Sequence, residues 1–198
     1  AKFFPHNLIA GRSLLPVLMG IELFKGNLKP GAVPEGVDHV TFYVMSMKDA
    51  APGEGNYWTT MPDWPTPKVT SWYLHGDLSL STTKPVAPSA AASPPPASTT
   101  YVYDPSDPTP AIGGNNLLRP LQCGPLDQRK VEARDDTVVF TTAPLPDAVA
   151  ATGPLDAELF VSTAAGVNDT DFAVKLTCVS PDGTSQLVQD GIQRMRWR

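Results

Sequence analysis

Charged residues are scarce in this chain of 198 residues, 18% of the total, and 15 Lys+Arg against 20 Asp+Glu leave a formal net charge of -5. A nucleic-acid partner demands a basic face dense enough to track phosphates, and the only dense basic cluster is Arg194, Arg196 and Arg198. No nucleic-acid partner is expected. Cysteine is scarcer still: Cys123 and Cys178 are too few for a disulfide framework and have no second thiol nearby for a redox or zinc motif. A buried free thiol and a single long-range disulfide both remain open. Long apolar runs are missing as well. The stretches 14–19 and 21–24 fall far short of the roughly 20 residues that cross a bilayer, so no membrane span is expected. The first residues carry no basic-then-apolar leader, and a start at Ala1 without methionine suggests a processed chain.

The motifs of several enzyme classes are also absent. Gly11-Arg12-Ser13-Leu14-Leu15 and Gly183-Thr184-Ser185-Gln186-Leu187 both fail G-x-S-x-G, the turn that lifts a serine nucleophile above a sheet. H-E-x-x-H, C-x-x-C, the P-loop and G-x-G-x-x-G do not occur, so neither a resident metal nor a cofactor is expected. His39 and His75 sit at the ends of strand-like stretches, where a surface or capping imidazole is the ordinary reading. The acidic groups Asp104/Asp107, Asp135/Asp136 and Asp169/Asp171 have the oxygen ligands calcium uses, yet lie in turn sequence where aspartate bonds its own backbone; the turn reading is preferred. Trp58, Trp64 and Trp72, with Tyr57 and Tyr73, suit either a core or interface plug or a ligand platform.

What the chain does hold is punctuation, with 22 prolines and 15 glycines. That density excludes a mainly helical fold, because proline removes a helix hydrogen bond and clashes with the preceding turn. One interrupted helix is predicted over 7–25, broken by Pro16 and Gly20. Alternation of β-branched or aromatic residues predicts strands over 38–47 and 68–75, a short one through Leu78 and Leu80, and further ones at 100–103, 136–142, 155–163, 171–180, 184–190 and 192–198. The Gly- and Trp-rich GEGNYWTTMPDWPTP reads as a loop, and 81–100, STTKPVAPSAAASPPPASTT, as a flexible surface connection. Short strands with no helices between them make the chain all-β, a β-sandwich of jelly-roll type. The alternation still runs at Arg198, which predicts that further strands follow.

The order of several motifs then identifies a relative. VTFYVMSM at 40–47, Asp63-Trp64-Pro65, Trp72-Tyr73-Leu74, YDPSDPTP at 103–110 with Gly113-Gly114, GPLDQR at 124–129, Arg134-Asp135-Asp136, LFVS at 159–162, DTDF at 169–172 and PDG at 181–183 running to DGIQR at 190–194 resemble the C-terminal jelly-roll domain of the Xaa-Pro dipeptidyl-peptidase and cocaine esterase family. The likeness covers about residues 37–198.

This resemblance implies a galactose-binding-like β-sandwich over 37–198, preceded by residues 1–36 as a helical tail of a hydrolase domain. It implies a parent serine hydrolase, a peptidase or an esterase or acylase, in which an α/β-hydrolase domain carrying a Ser-His-Asp triad and a helical cap are this domain's partners. The present chain, without nucleophile elbow or triad aspartate, is expected to be non-catalytic, stabilising the hydrolase and walling its acyl pocket. Leu159 and Phe160 resemble the pocket-lining strand of the cocaine esterase branch, sandwich core being their other reading. His6-Asn7-Leu8 with Gly11-Arg12 is similar to the surroundings of the family's triad histidine, with Phe3-Phe4-Pro5 replacing the usual Gly-Pro-Trp. Asp127, Arg129, Arg134, Asp135 and Asp136 are expected to form an ion-pair and turn network that holds the long loop. The alternative function is a stand-alone module binding carbohydrate or another ligand. Self-association stays open, as does the compartment, with the cytoplasm slightly favoured.

Overall fold

A computed structural model describes residues 40–47, 50–64, 66, 68–85, 98–115, 123–164, 166–167 and 169–197. The helix predicted over 7–25, His6, His39 and most of the connection at 81–100 lie outside the described residues. The chain divides into two compact units, Ala1–Thr66 and Pro67–Arg198.

In the first unit, β1 (Val40–Val44) pairs antiparallel with β2 (Tyr57–Met61), setting Val40 opposite Met61 and Tyr43 opposite Trp58. β2 falls inside the stretch expected to be a loop. Tyr57-Trp58-Thr59-Thr60 is aromatic and β-branched, the composition that suits a half-buried pleat, so the flanking Gly and Pro residues bound this strand rather than abolish it. The Tyr43 and Trp58 rings meet edge-on at 5.5 Å, and Phe42 meets Trp64 at 5.6 Å. Because neighbouring residues of a strand point to opposite faces, Phe42 and Tyr43 direct these two aromatic pairs to opposite sides of the ribbon.

In the second unit, β3 (Tyr73–Leu74) and β4 (Leu80–Ser81) form a short antiparallel pair, extended by a parallel bridge between Ser79 and Thr141. The strand predicted over 68–75 shrinks to its last aromatic and aliphatic pair. No described residue pairs in a ladder with 100–103 or 155–163, and 136–142 contributes one bridge at Thr141. Alternation alone does not make a strand where no partner offers backbone groups.

β5 (Asp171–Val179) and β6 (Ser185–Arg194) make the longest ribbon. The turn between them is closed by Ser180 N–H to the Thr184 carbonyl at 2.9 Å, while Asp182 accepts the Thr184 N–H at 2.9 Å. The two strands expected at 184–190 and 192–198 are one strand: Gly191 pairs with Val174 without interrupting the ladder. The alternation after Arg194 is not strand but a 3-10 turn, Met195–Trp197, whose Met195 N–H bonds the Thr170 carbonyl at 2.8 Å. One helical turn, α1 (Arg129–Glu132), completes the elements among the described residues. The fold is all-β.

The buried apolar side chains among the described residues are Val131 of α1 and Leu187 of β6. The burial is otherwise polar: Gln128 is 0% exposed and Ser185 1%.

Candidate functional site

Three elements converge on Gln128. The segment 126–128 runs alongside the start of β6, where Gln128 N–H donates to the Ser185 carbonyl at 2.7 Å and Leu187 N–H to the Leu126 carbonyl at 3.1 Å. The Gln128 amide nitrogen donates to the carbonyls of Ile112 and Leu126, both at 2.9 Å, and its oxygen accepts from Lys175 Nζ at 2.7 Å. This side chain joins a loop, the α1 approach and β5. Burying an amide is tolerable only when its donors and acceptor are met, and here they are.

Around the amide stand charged groups. Lys175 faces Asp190 across the ribbon, and burial pushes its ammonium below the usual lysine range against the opposing pull of Asp190 and Glu132. Glu132 accepts the Ser185 hydroxyl at 2.5 Å and the Thr177 hydroxyl at 3.3 Å. Two glycines close the loop. Gly114 and Gly124 exchange backbone hydrogen bonds of 2.9 Å in both directions. At Gly114, φ is +73° and a Cβ would stand 2.9 Å from the Asp190 carboxylate; at Gly113, φ is +76° and a Cβ would stand 2.5 Å from the Gly124 carbonyl oxygen. Only glycine combines that handedness with so close an approach.

Four of the five residues expected to form one network make two separate pairs. Asp127 binds Arg129 through its guanidinium at 2.6 Å and also accepts the Arg129 and Ser185 N–H groups at 3.1 and 3.3 Å. The Arg129 contacts hold the Asp127 carboxyl down to about 2. Arg134 grips Asp136 with two bonds, 2.7 and 2.8 Å, and Asp136 accepts the Thr109 hydroxyl at 2.9 Å. Arg134 leads the causes that bring the Asp136 carboxyl to about 2. The same guanidinium donates to the Asp107 carbonyl at 2.7 Å and faces its carboxylate at 3.2 Å. Asp135 belongs to neither pair.

Of the other acidic residues, Asp104 is engaged in a turn and Asp169 in ion pairs. Asp104 accepts the Ser106 N–H at 2.9 Å, and Asp169 pairs with Arg194 at 2.6 Å and Arg196 at 3.3 Å. Among the described residues no group of three metal-ligating side chains is assembled. Trp58 and Trp64 do not share a platform, since they serve opposite faces of one ribbon. Cys123 is half-buried and Cys178 exposed, and no disulfide joins them.

His75 Nε2 lies 2.9 Å from Ser81 Oγ, the spacing of a serine–histidine dyad. Its neighbours give it another role. Asp77 turns its carboxylate to the N–H and hydroxyl of Ser79, at 3.0 and 2.6 Å, and Ser81 Oγ accepts the Thr83 N–H at 3.2 Å. The pair ties β3 to β4. A third residue that would orient the imidazole for catalysis is engaged elsewhere.

Leu159 and Phe160 lie outside any strand and are 40% and 96% exposed. Core packing is therefore not their role within this chain. The family model for the X-Pro dipeptidyl-peptidase C-terminal non-catalytic domain matches residues 35–198. The chain belongs to that family. It is 40% identical over 166 residues to cocaine esterase of Rhodococcus sp. (strain MB1 Bresler), covering 82% of this chain and 27% of that protein. No solved structure matches it. No helix among the described residues is long and apolar enough to cross a membrane.

Membership in this family accounts for the absence of a nucleophile elbow in these residues. Gln128 and Ser185 are the site residues that sequence reasoning overlooks. Gln128 sits inside the GPLDQR motif, where its charged neighbours attract attention first, and no periodic signal separates a buried glutamine from an exposed one.

Proposed function

We propose that this chain is the non-catalytic jelly-roll portion of a longer serine hydrolase, stabilising an α/β-hydrolase domain and walling its acyl pocket with Leu159 and Phe160. The observation that carries the pocket role is the adjacent exposed pair itself: a phenylalanine 96% exposed beside a leucine 40% exposed is unexplained by this chain's own packing. Family membership supplies the partner, since the domain is by description non-catalytic and spans 27% of an esterase. Whether the parent cleaves peptide, ester or acyl-amide bonds depends on residues of that catalytic domain, which would carry the nucleophile, the proton-shuttling histidine and the oxyanion donors.

Two experiments test the reading. The isolated chain should neither hydrolyse p-nitrophenyl esters nor react with a fluorophosphonate; serine-specific labelling of it would overturn the non-catalytic role. In the parent enzyme, Phe160→Ala should raise KM several-fold while leaving the melting temperature nearly unchanged, because truncating an exposed side chain shifts stability by less than about 0.5 kcal/mol. Unaltered kinetics would remove Phe160 from the pocket.

A further inference from the structure

Tyr101, Val102 and Tyr103 form a continuous apolar run, 40%, 80% and 53% exposed. None of the loop and turn backbone hydrogen bonds among the described residues involves them. The residues that follow are, by contrast, fixed at several points. Asp104 holds the Ser106 N–H and hydroxyl, and Asp107 N–H donates back to the Asp104 carbonyl at 3.2 Å. Pro105, Pro108 and Pro110 lock φ along the loop. Arg134 then clamps it through the Asp107 carbonyl and carboxylate, with Asp136 holding Thr109 beside it. An exposed loop serving only as a connection tolerates mobility, whereas fixing a loop beforehand reduces the ordering cost of docking. Tyrosine is also a residue type enriched where binding energy concentrates.

We propose that Tyr101, Val102 and Tyr103 are an anchor for the catalytic domain of the parent polypeptide, with Arg134 as the positioning residue. The inference rests on the hydrolase reading above. The choice of occupant follows from length: this chain spans 27% of the esterase it matches, so most of such a protein lies beyond these residues and is available to cover the run. An apolar run set directly beside a fixed loop suits a permanent intramolecular contact.

The test uses the intact parent protein with p-benzoylphenylalanine replacing Tyr103, irradiated and mapped by peptide mass spectrometry. A cross-linked peptide from outside residues 35–198 is expected, and Arg134→Ala should lower its yield several-fold. Cross-links confined to residues 35–198, or none at all, would overturn the anchor. A fluorophosphonate label on the same sample separates the two readings. A heavy, serine-labelled protein without the cross-link defeats the anchor alone, while a native product no heavier than 21.2 kDa defeats the hydrolase reading with it.

Discussion

The two halves of β6 share a strand and differ in almost everything else. Ser185, Gln186 and Leu187 are buried, with β5 on one side and the 126–128 segment on the other, whereas Ile192 is 69% and Val188 38% exposed. The backbone ladder to β5 runs through both, with a register shift at Val188 where they meet. What separates them is the third element: where 126–128 docks, burial follows, and where its pairing ends, apolar side chains face outward. In this chain the backbone ladder alone does not create a core; the docking of an additional segment does.

The sharpest way to break that comparison is truncation in each half. Leu187→Ala should destabilise by about 3 kcal/mol, the transfer and cavity cost of a buried leucine. Ile192→Ala should change the isolated chain by less than about 0.5 kcal/mol. Urea denaturation measures both, and equal effects would abolish the distinction. Repeating Ile192→Ala in the parent sharpens it, because a cost rising toward that of Leu187 would reveal that another part of the protein covers the outer half.

Next in size is the polar centre. Gln128→Leu keeps a similar volume but leaves the Ile112 carbonyl and the Lys175 ammonium without this partner, while the Leu126 carbonyl retains the Leu187 N–H. Since each buried group left unpaired costs about 1–3 kcal/mol, a loss of about 2–4 kcal/mol is expected. Gln128→Glu separates the contributions: it can retain Lys175 as an ion pair while surrendering both amide donations. Should Gln128→Leu prove neutral in denaturation, the amide would be a bystander in the buried half of β6.

Gly114→Ala comes third. The positive φ and the Asp190 carboxylate 2.9 Å from the added Cβ predict a loss of about 1–2 kcal/mol, of the size attached to one residue in left-handed conformation. Pairing it with Asp190→Ala tells strain from collision: the double variant should recover part of the loss, and strict additivity would assign the whole effect to φ.

These expectations divide according to what the residues disclose. β1, β5 and most of β6 are legible because β-branched and aromatic residues alternate between recognisable turns such as PDG at 181–183. β2 is hidden because Gly55 and the Pro65 region dominate its surroundings, though Trp58 and Thr59 carry strand character. The alternation at 155–163 leads to the opposite error, since nothing in Leu159 or Phe160 reveals whether a partner strand exists. At the polar centre the pairs Asp127–Arg129 and Arg134–Asp136 follow from spacing, two residues apart in each case. Asp107 and Thr109 do not, as they reach Arg134 and Asp136 across 27 positions. Long-range closure is the part that local pattern cannot supply.

The smallest effect concerns that closure and is read through pH. Asp136 is 8% exposed at its side chain and Arg134 22%, and the carboxyl falls from 3.8 to about 2. A carboxylate whose folded value is depressed binds fewer protons when folded, so its contribution is fully present above pH 3.8 and disappears as pH falls through about 2. Asp136→Asn should therefore lower stability most at pH 7, a loss softened by the exposed Asp107 carboxylate that still faces Arg134, and should flatten the fall between pH 4 and 2, so that the two proteins converge in acid. Asp127 also titrates near 2, and Asp127→Asn supplies the contrast: its partner Arg129 is 55% exposed at the side chain, and solvent screening weakens such a pair. The acid-sensitive step should then lie mainly with Asp136. If both variants flatten the profile equally, the loop clamp has no advantage over the exposed pair, and the contrast between enclosed and open regions would not extend to its electrostatics.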